Sequence, residues 1–378
     1  RRLCELLVSA GHEVSVLASS DAFKLKQLEA KVADQAPGLK VYRLRTSWPW
    51  MNAVLTHQTG LPVFYRAEIE RVLEEVRPDV IHYHNISLLG GPGLLSLGQG
   101  VKICTLHDHW AVCPTHALFK FNRTPCRQKQ CLLCTLKAGR LPQIWRYGSL
   151  LQKSLRQVDL ILSPSEFTLE RHKSDGLDFT GRVLPHFVPD TFRHSKPAPK
   201  EGDYLLYVGR LEHLKGIGWL AETLADRSDI KLVIAGDGAL RPQLARMSES
   251  SPSIKLLPWN SEEQLIELYS NALATVVPSL CYETFGLSLA ESMSCGTPVI
   301  AHDVGVLGET VRASGGGLLY QDQSGFHQAV DLLKEDHRTR ESLGEKAKNY
   351  AREHWTEGRY LDEYLDIVES LFASHCPG

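Results

Sequence analysis

The sequence predicts an α/β protein made of two doubly wound domains, and three observations carry the prediction. Short apolar runs rich in β-branched residues alternate with helical patterns, as in a parallel sheet covered on both faces. The alternation forms two series separated by His194–Asp203, a stretch with prolines, several charges and no apolar periodicity. The 378 residues are enough for two ordinary cores.

The chain opens RRLCELLVSAG, which sets Leu3, Leu6, Leu7 and Ala10 on one side of a helix that Gly11 would end. Strands are expected at Glu13–Ala18, Val41–Arg45, Val80–His84, Val101–Leu106, Leu160–Ser163 and Arg182–Leu184, with a helix at Ala67–Val76 among the connections. Beyond the linker they are expected at Tyr204–Val208, Lys231–Ala235, Lys255–Leu257, Thr275–Val277, Pro298–Ala301 and Gly317–Tyr320, with a helix at Glu262–Ser270. The tail places Tyr360, Leu361, Tyr364, Leu365, Val368, Leu371 and Phe372 at helical spacing, which reads as one amphipathic helix. The expected division is residues 1–195, 203–355 and a closing helix over 356–378 that packs back on the first domain. A chain that starts inside a helix and continues into a parallel-type strand is expected to lack a preceding strand.

Composition excludes several classes. Lys and Arg number 42 against 44 Asp and Glu, a net charge of −2, so no bulk basic excess exists to neutralise a nucleic-acid backbone. No apolar run approaches the roughly 18–20 residues of a membrane helix. Nine cysteines are too few at this length for a disulfide scaffold. No G-x-G-x-x-G follows a strand, which disfavours an NAD oxidoreductase. With no targeting signal in the sequence, the cytoplasm is the expected location.

The densest signal is PSLCYETFGLSLAESMSCGTPVIA, residues 278–301. A strand runs into a loop, then into a helix from about Phe285 that Gly296 stops. The amides of Phe285, Gly286 and Leu287 at that helix start form an anion site. Glu291 follows Glu283 by eight residues and lies on the face of Leu287 and Ser288. Helical side chains lean toward the N-terminus, so Glu291 can accept from the vicinal hydroxyls of a ribose beside that anion. The plainer reading makes Glu283 a helix cap and Glu291 a solvated residue.

At the other strand of this kind, YLLYVGRLEHLKG, Gly209, Arg210 and Lys215 follow a strand end. Ligands of open α/β sheets bind there, and Arg with Lys suits a diphosphate; two solvated bases in a loop is the alternative. AGDG at 235–238 repeats the strand-end glycine turn. Together with SPSEFT at 163–168, these fragments resemble the retaining glycosyltransferases of family 4, with the two-domain GT-B fold in which the domains face a cleft.

The resemblance spans nearly the whole chain and implies roles by position. Arg210, Lys215 and the amides near Phe285–Leu287 would neutralise the diphosphate of a UDP-, GDP- or ADP-linked sugar co-substrate. Glu291 would hold the ribose, Glu283 would contact the donor sugar, and Pro258 and Trp259 would lie near the base. No catalytic metal is expected, because preorganised cations and amides can meet the leaving-group charge. His107, at the end of VKICTLHDHW, would face the donor sugar near the reaction centre; without the resemblance it reads as a structural His. Asp108, with His84 and Asn85 from VIHYHN, would line the acceptor side. Many relatives act at a membrane face, so a peripheral membrane partner is also implied. The alternatives are an inactive nucleotide- or sugar-binding protein and another GT-B enzyme such as a sugar-nucleotide epimerase.

Two departures stand out. The usual first strand and its Gly-Gly loop are expected to be lacking, and Pro185-His186-Phe187-Val188 replaces a Pro-Asn-Gly-Val turn. A third feature is Cys113, Cys126, Cys131 and Cys134, spaced C-x12-C-x4-C-x2-C in a basic, proline-bearing insertion. Four thiolates with one C-x2-C pair suit a structural zinc or an iron–sulfur cluster; disulfides and plain thiols are the alternatives.

Overall fold

Each of these strands forms, within two residues at either end, in the computed structural model, which describes residues 1–21, 38–193, 204–258 and 261–375. The linker His194–Asp203, Trp259 and Cys376 lie outside the described residues. In chain order the strands are β1 (Val14–Ser19), β2 (Leu39–Leu44), β3 (Val80–His84), β4 (Val101–Thr105), β5 (Phe119–Lys120), β6 (Thr124–Pro125), β7 (Leu160–Ser163) and β8 (Gly181–Val183). They continue as β9 (Tyr204–Val208), β10 (Lys231–Ala235), β11 (Ile254–Leu257), β12 (Ala274–Val277), β13 (Val299–His302) and β14 (Gly317–Tyr320).

The chain divides into two compact units. Unit 1 comprises Arg1–His116, Cys131–Leu184 and Tyr360–Gly378; unit 2 comprises Ala117–Gln130 and Pro185–Arg359. The break falls at Leu184, before the prolines of the linker, because Val188 and Phe192 are buried in the core of unit 2 and Val188 N donates to Trp355 O at 3.0 Å. The insertion was expected to stay whole within the first domain. Instead its hairpin β5–β6 joins unit 2, where the Phe119 ring lies 6.3 Å from that of His213.

In unit 2 the sheet order is β11-β10-β9-β12-β13-β14, all parallel. The chain winds outward from β9 in one direction and then from β12 in the other, so the strand order reverses between these two neighbours. That reversal opens a crevice at their carboxyl ends, where open α/β sheets take ligands. The strands are apolar because helices cover both faces: Leu205, Leu232 and Ile234 pack on one side and Leu206, Val277 and Val299 on the other.

In unit 1 the strands fall into two parallel sheets, β1-β2 and β3-β4-β7-β8. The larger sheet packs Tyr83 and Ile161 against Tyr65, Ile69, Ile86 and Leu95. The helix Glu357–His375 contributes its second part to this unit, and the Tyr364 ring stacks on His82 at 5.4 Å. Arg146 ties the insertion down. Its guanidinium lies against the rings of Trp110 and Trp145 and donates to the carbonyls of Trp110 and Ala111. Burial pulls its pKa down to about 10.

Candidate functional site

The loops that leave β9, β10 and β12 interlock through their backbones. Gly209 N donates to Ala235 O at 3.1 Å, Leu211 N to Asp237 O at 2.8 Å and Leu280 N to Leu214 O at 2.9 Å. Tyr207 Oη closes the first loop on Arg210 O at 2.7 Å. The chain then turns through His213–Lys215, and Gly216, at φ 73°, starts the helix Ile217–Leu224.

This frame brings Lys215 to Glu283. The Lys215 Nζ lies 2.5 Å from Glu283 Oε1, which also accepts from Ser279 Oγ at 2.6 Å. Both charged side chains are mostly buried, at 18% and 17% exposed. Burial works to raise the Glu283 pKa, but the Lys215 ammonium and the Ser279 hydroxyl outweigh it and hold the carboxyl below its usual range. The result is an ion pair at the strand-order reversal, with an ammonium that can turn to an anion. Arg210 is the more exposed base, with Nη1 2.9 Å from Glu212 Oε1.

The helix begins later than expected, at Leu287, with Gly286 in the left-handed region at φ 90° as its N-cap. Glu283 is therefore not the cap, and its carboxylate serves Lys215 instead. The Phe285 side chain is core: its ring meets Trp355 at 5.5 Å and His186 at 5.4 Å, leaving only its backbone for a ligand. His186 thus packs at the position of the altered turn. Leu287 is 53% exposed. Glu291 is neither solvated nor paired to a base. It accepts from Tyr269 Oη at 2.7 Å, and burial raises its pKa to about 7. Pro258 is exposed just after β11.

In unit 1, His84 and His107 leave the ends of β3 and β4 side by side. His84 Nδ1 and His107 Nε2 are 2.7 Å apart, so one ring donates to the other. The His82 ring is tilted against that of His84, 4.0 Å away between centroids, and its Nε2 lies 2.7 Å from Thr105 Oγ1. Burial lowers the His107 pKa against the opposing pull of Asp108, so the ring is neutral at neutral pH. Asp108 faces its own loop: it accepts from Trp110 N at 2.8 Å and meets His116 Nδ1 at 2.8 Å. Those contacts outweigh burial and keep its carboxyl ionised. A cavity of about 50 Å³ lies here, lined by Asn85, Ser87, Thr105, His107, Asp108 and Trp110 among others. His109 is core, 1% exposed and 5.5 Å from the His172 ring.

Among the described residues no three His, Cys, Asp or Glu side chains are grouped so as to hold a metal ion. Cys113 Sγ turns to Thr115 Oγ1 at 3.3 Å and Cys126 Sγ to Gln128 O at 3.7 Å, each satisfied within its own loop. Sequence reasoning missed Ser279, Tyr269 and Tyr207. Ser279 stands next to the quoted Pro278 at a strand end, so its position was a usable signal; the two tyrosines read as ordinary apolar positions.

Comparison with known proteins adds the following. The family model described as "Glycosyl transferases group 1" matches residues 189–350, and that described as "Glycosyltransferase Family 4" matches 1–192. An uncharacterized glycosyltransferase of Methanocaldococcus jannaschii is 25% identical over 97% of this chain and 92% of its own length. A D-inositol 3-phosphate glycosyltransferase of Thermomonospora curvata is 31% identical over 49% of this chain and 48% of its own; the chain spans about half the length of such relatives. Among solved structures, sucrose-phosphate synthase of Thermosynechococcus elongatus superposes with a TM-score of 0.77 at 22% identity, over 99% of this chain and 92% of that one. Anabaena HepE, solved in complex with UDP and glucose, gives 0.68 at 15% identity over 98% and 95%. The shared fold is GT-B.

Proposed function

Because the chain belongs to the group 1, family 4 glycosyltransferases, we propose that it moves a sugar from a nucleotide-sugar to an acceptor with retention at the anomeric carbon. The observation that carries this reading is the Lys215–Glu283–Ser279 constellation at the strand-order reversal of unit 2. A diphosphate there would draw the Lys215 ammonium, with Arg210 and the amides around Gly286 as further donors. As the sugar departs, negative charge grows on the phosphate oxygen, and these preorganised donors stabilise it. Glu283 holds Lys215 in place and is proposed to touch the donor sugar. Glu291 is proposed to accept from the ribose hydroxyls. Within unit 1, His84 is proposed to fix the tautomer of His107. HepE, of the same fold, is solved with UDP and with UDP-glucose, which favours a nucleotide-linked donor.

A thermal-shift series with UDP, GDP, ADP and their sugars tests the reading. Ligand at about 100 times its dissociation constant stabilises by about 2.7 kcal/mol, roughly 5–10 °C for a domain of this size. One nucleotide should give that shift, and its sugar should release nucleoside diphosphate when incubated with the protein. Arg210→Ala should lower turnover more than nucleotide affinity. Absence of a shift with every nucleotide would refute the donor site; a shift without release would leave a binding protein.

A further inference from the structure

The insertion supplies unit 2 with a hairpin that the site described above leaves without a role. Residues 117–130 pack with unit 2 although unit 1 flanks them in sequence on both sides. Phe119 pairs with Pro125 and Lys120 with Thr124, and Cys126 N closes the pair on Leu118 O at 2.6 Å. Two-residue strands do not hold by themselves. Burial anchors them instead: Leu118 and Phe119 are 1% and 4% exposed, whereas Asn122, Arg123 and Thr124 at the tip are open to solvent.

The backbone around Phe119 is strained. Among the described residues six other than glycine have φ in the left-handed region, and four of them lie here: His116 at 70°, Leu118 at 47°, Phe121 at 55° and Asn122 at 56°. Asparagine tolerates that region, but leucine and phenylalanine enter it at a steric cost. Strain of this kind persists only where packing over-determines it, and it gathers at functional sites. What it secures here is the seat of Phe119, whose ring meets that of His213 at 6.3 Å between centroids, tilted by 51°. Among the described residues His213 has no other ring contact and no side-chain hydrogen bond, and the residue is exposed.

His213 opens the turn that carries Lys215. Lys215 N donates to Glu212 O and Gly216 N to His213 O, each at 3.0 Å. Leu280 N and Cys281 N, from the loop after β12, donate to Leu214 O at 2.9 and 3.3 Å. Backbone thus pins one side of the turn, and the Phe119 ring meets the other. We propose that Phe119 is a positioning residue for donor binding: by seating His213 it keeps Lys215 aimed at Glu283 before any ligand arrives. It acts through the turn and not on a reacting atom. A turn ordered in advance need not be ordered by the ligand, so the contact acts on affinity. The inference rests on the reading of Lys215 as the base that meets the diphosphate.

Calorimetric titration with UDP, GDP and ADP tests it, the tightest of the three serving as the probe for variants. Phe119→Ala should weaken its binding roughly two- to tenfold, the range of one aromatic pair, and Phe119→Tyr should keep wild-type affinity. His213→Ala breaks the same contact from an exposed residue, so affinity should fall alike while the thermal transition stays in place. The double variant should lose no more than either single one. Without ligand, the Lys215 and Gly216 amides should exchange hydrogen faster in both single variants. Folded variants that match the wild type in affinity and exchange overturn the proposal and leave the donor site standing. A wild type that binds none of the three nucleotides removes the donor reading, and this inference with it.

Discussion

Glu291 joins a stability term to a binding term. An unfolded glutamate ionises near 4.5, and burial moves this one to about 7. Between those values the folded chain holds the extra proton, so stability falls as pH rises through the window, by roughly 3 kcal/mol in all. Hydroxyls that donate to the carboxyl favour its ionised form. If a ribose sits there, nucleotide binding releases a proton below about pH 7, and affinity should rise about tenfold from pH 6 to pH 8. Calorimetric titration in buffers of different ionisation enthalpy measures both effects, and Glu291→Gln should flatten the profile. A flat wild-type profile would remove the ribose role. This carboxyl was legible from its spacing to Glu283. Its partner Tyr269 was not, because a helical tyrosine 22 residues away carries no local mark of what it will meet.

The loops of unit 2 hold their shape because glycines let backbone lie on backbone. A Cβ at Gly216 would stand 1.9 Å from Pro278 O, at φ 73°, and one at Gly236 would stand 1.9 Å from Gly209 O. Gly216→Ala should therefore cost about 2 kcal/mol or more and abolish the nucleotide-induced thermal shift. Gly358→Ala, where a Cβ meets nothing within 4 Å, is the control and should be neutral in urea unfolding. A Gly216→Ala protein that keeps both stability and shift would show that the loop rearranges freely. The strands were legible because parallel strands buried on both faces read as β-branched runs between turn signals. The hairpin β5–β6 was not, since its two-residue strands leave no periodicity and one of them contains Pro125. The path of the cysteine insertion was illegible for a related reason: proximity in sequence does not fix where side chains point, and the half-buried Arg146 holds the carbonyls of Trp110 and Ala111 just before it.

Across the molecule the two units differ in how their sheets are supported. In unit 2, β9 and β12 are central and nearly inaccessible. In unit 1, β1 and β2 form a pair whose residues are mostly half-exposed. A two-stranded pair is marginal by itself, and local opening follows burial. Hydrogen exchange should lose protection at Val14–Ser19 and Leu39–Leu44 well before Tyr204–Val208; uniform protection would contradict this. Pairing partners are non-local, so the sequence displayed these strands without saying which would join which. The path of the chain between the units carries one more consequence. Unit 1 takes its last element from residues 360–375, which leave the ribosome after all of unit 2. Unit 2 in turn waits for 185–359 after receiving 117–130 early. During translation the unit begun first is thus finished last, and no single cut in the gene yields both units whole.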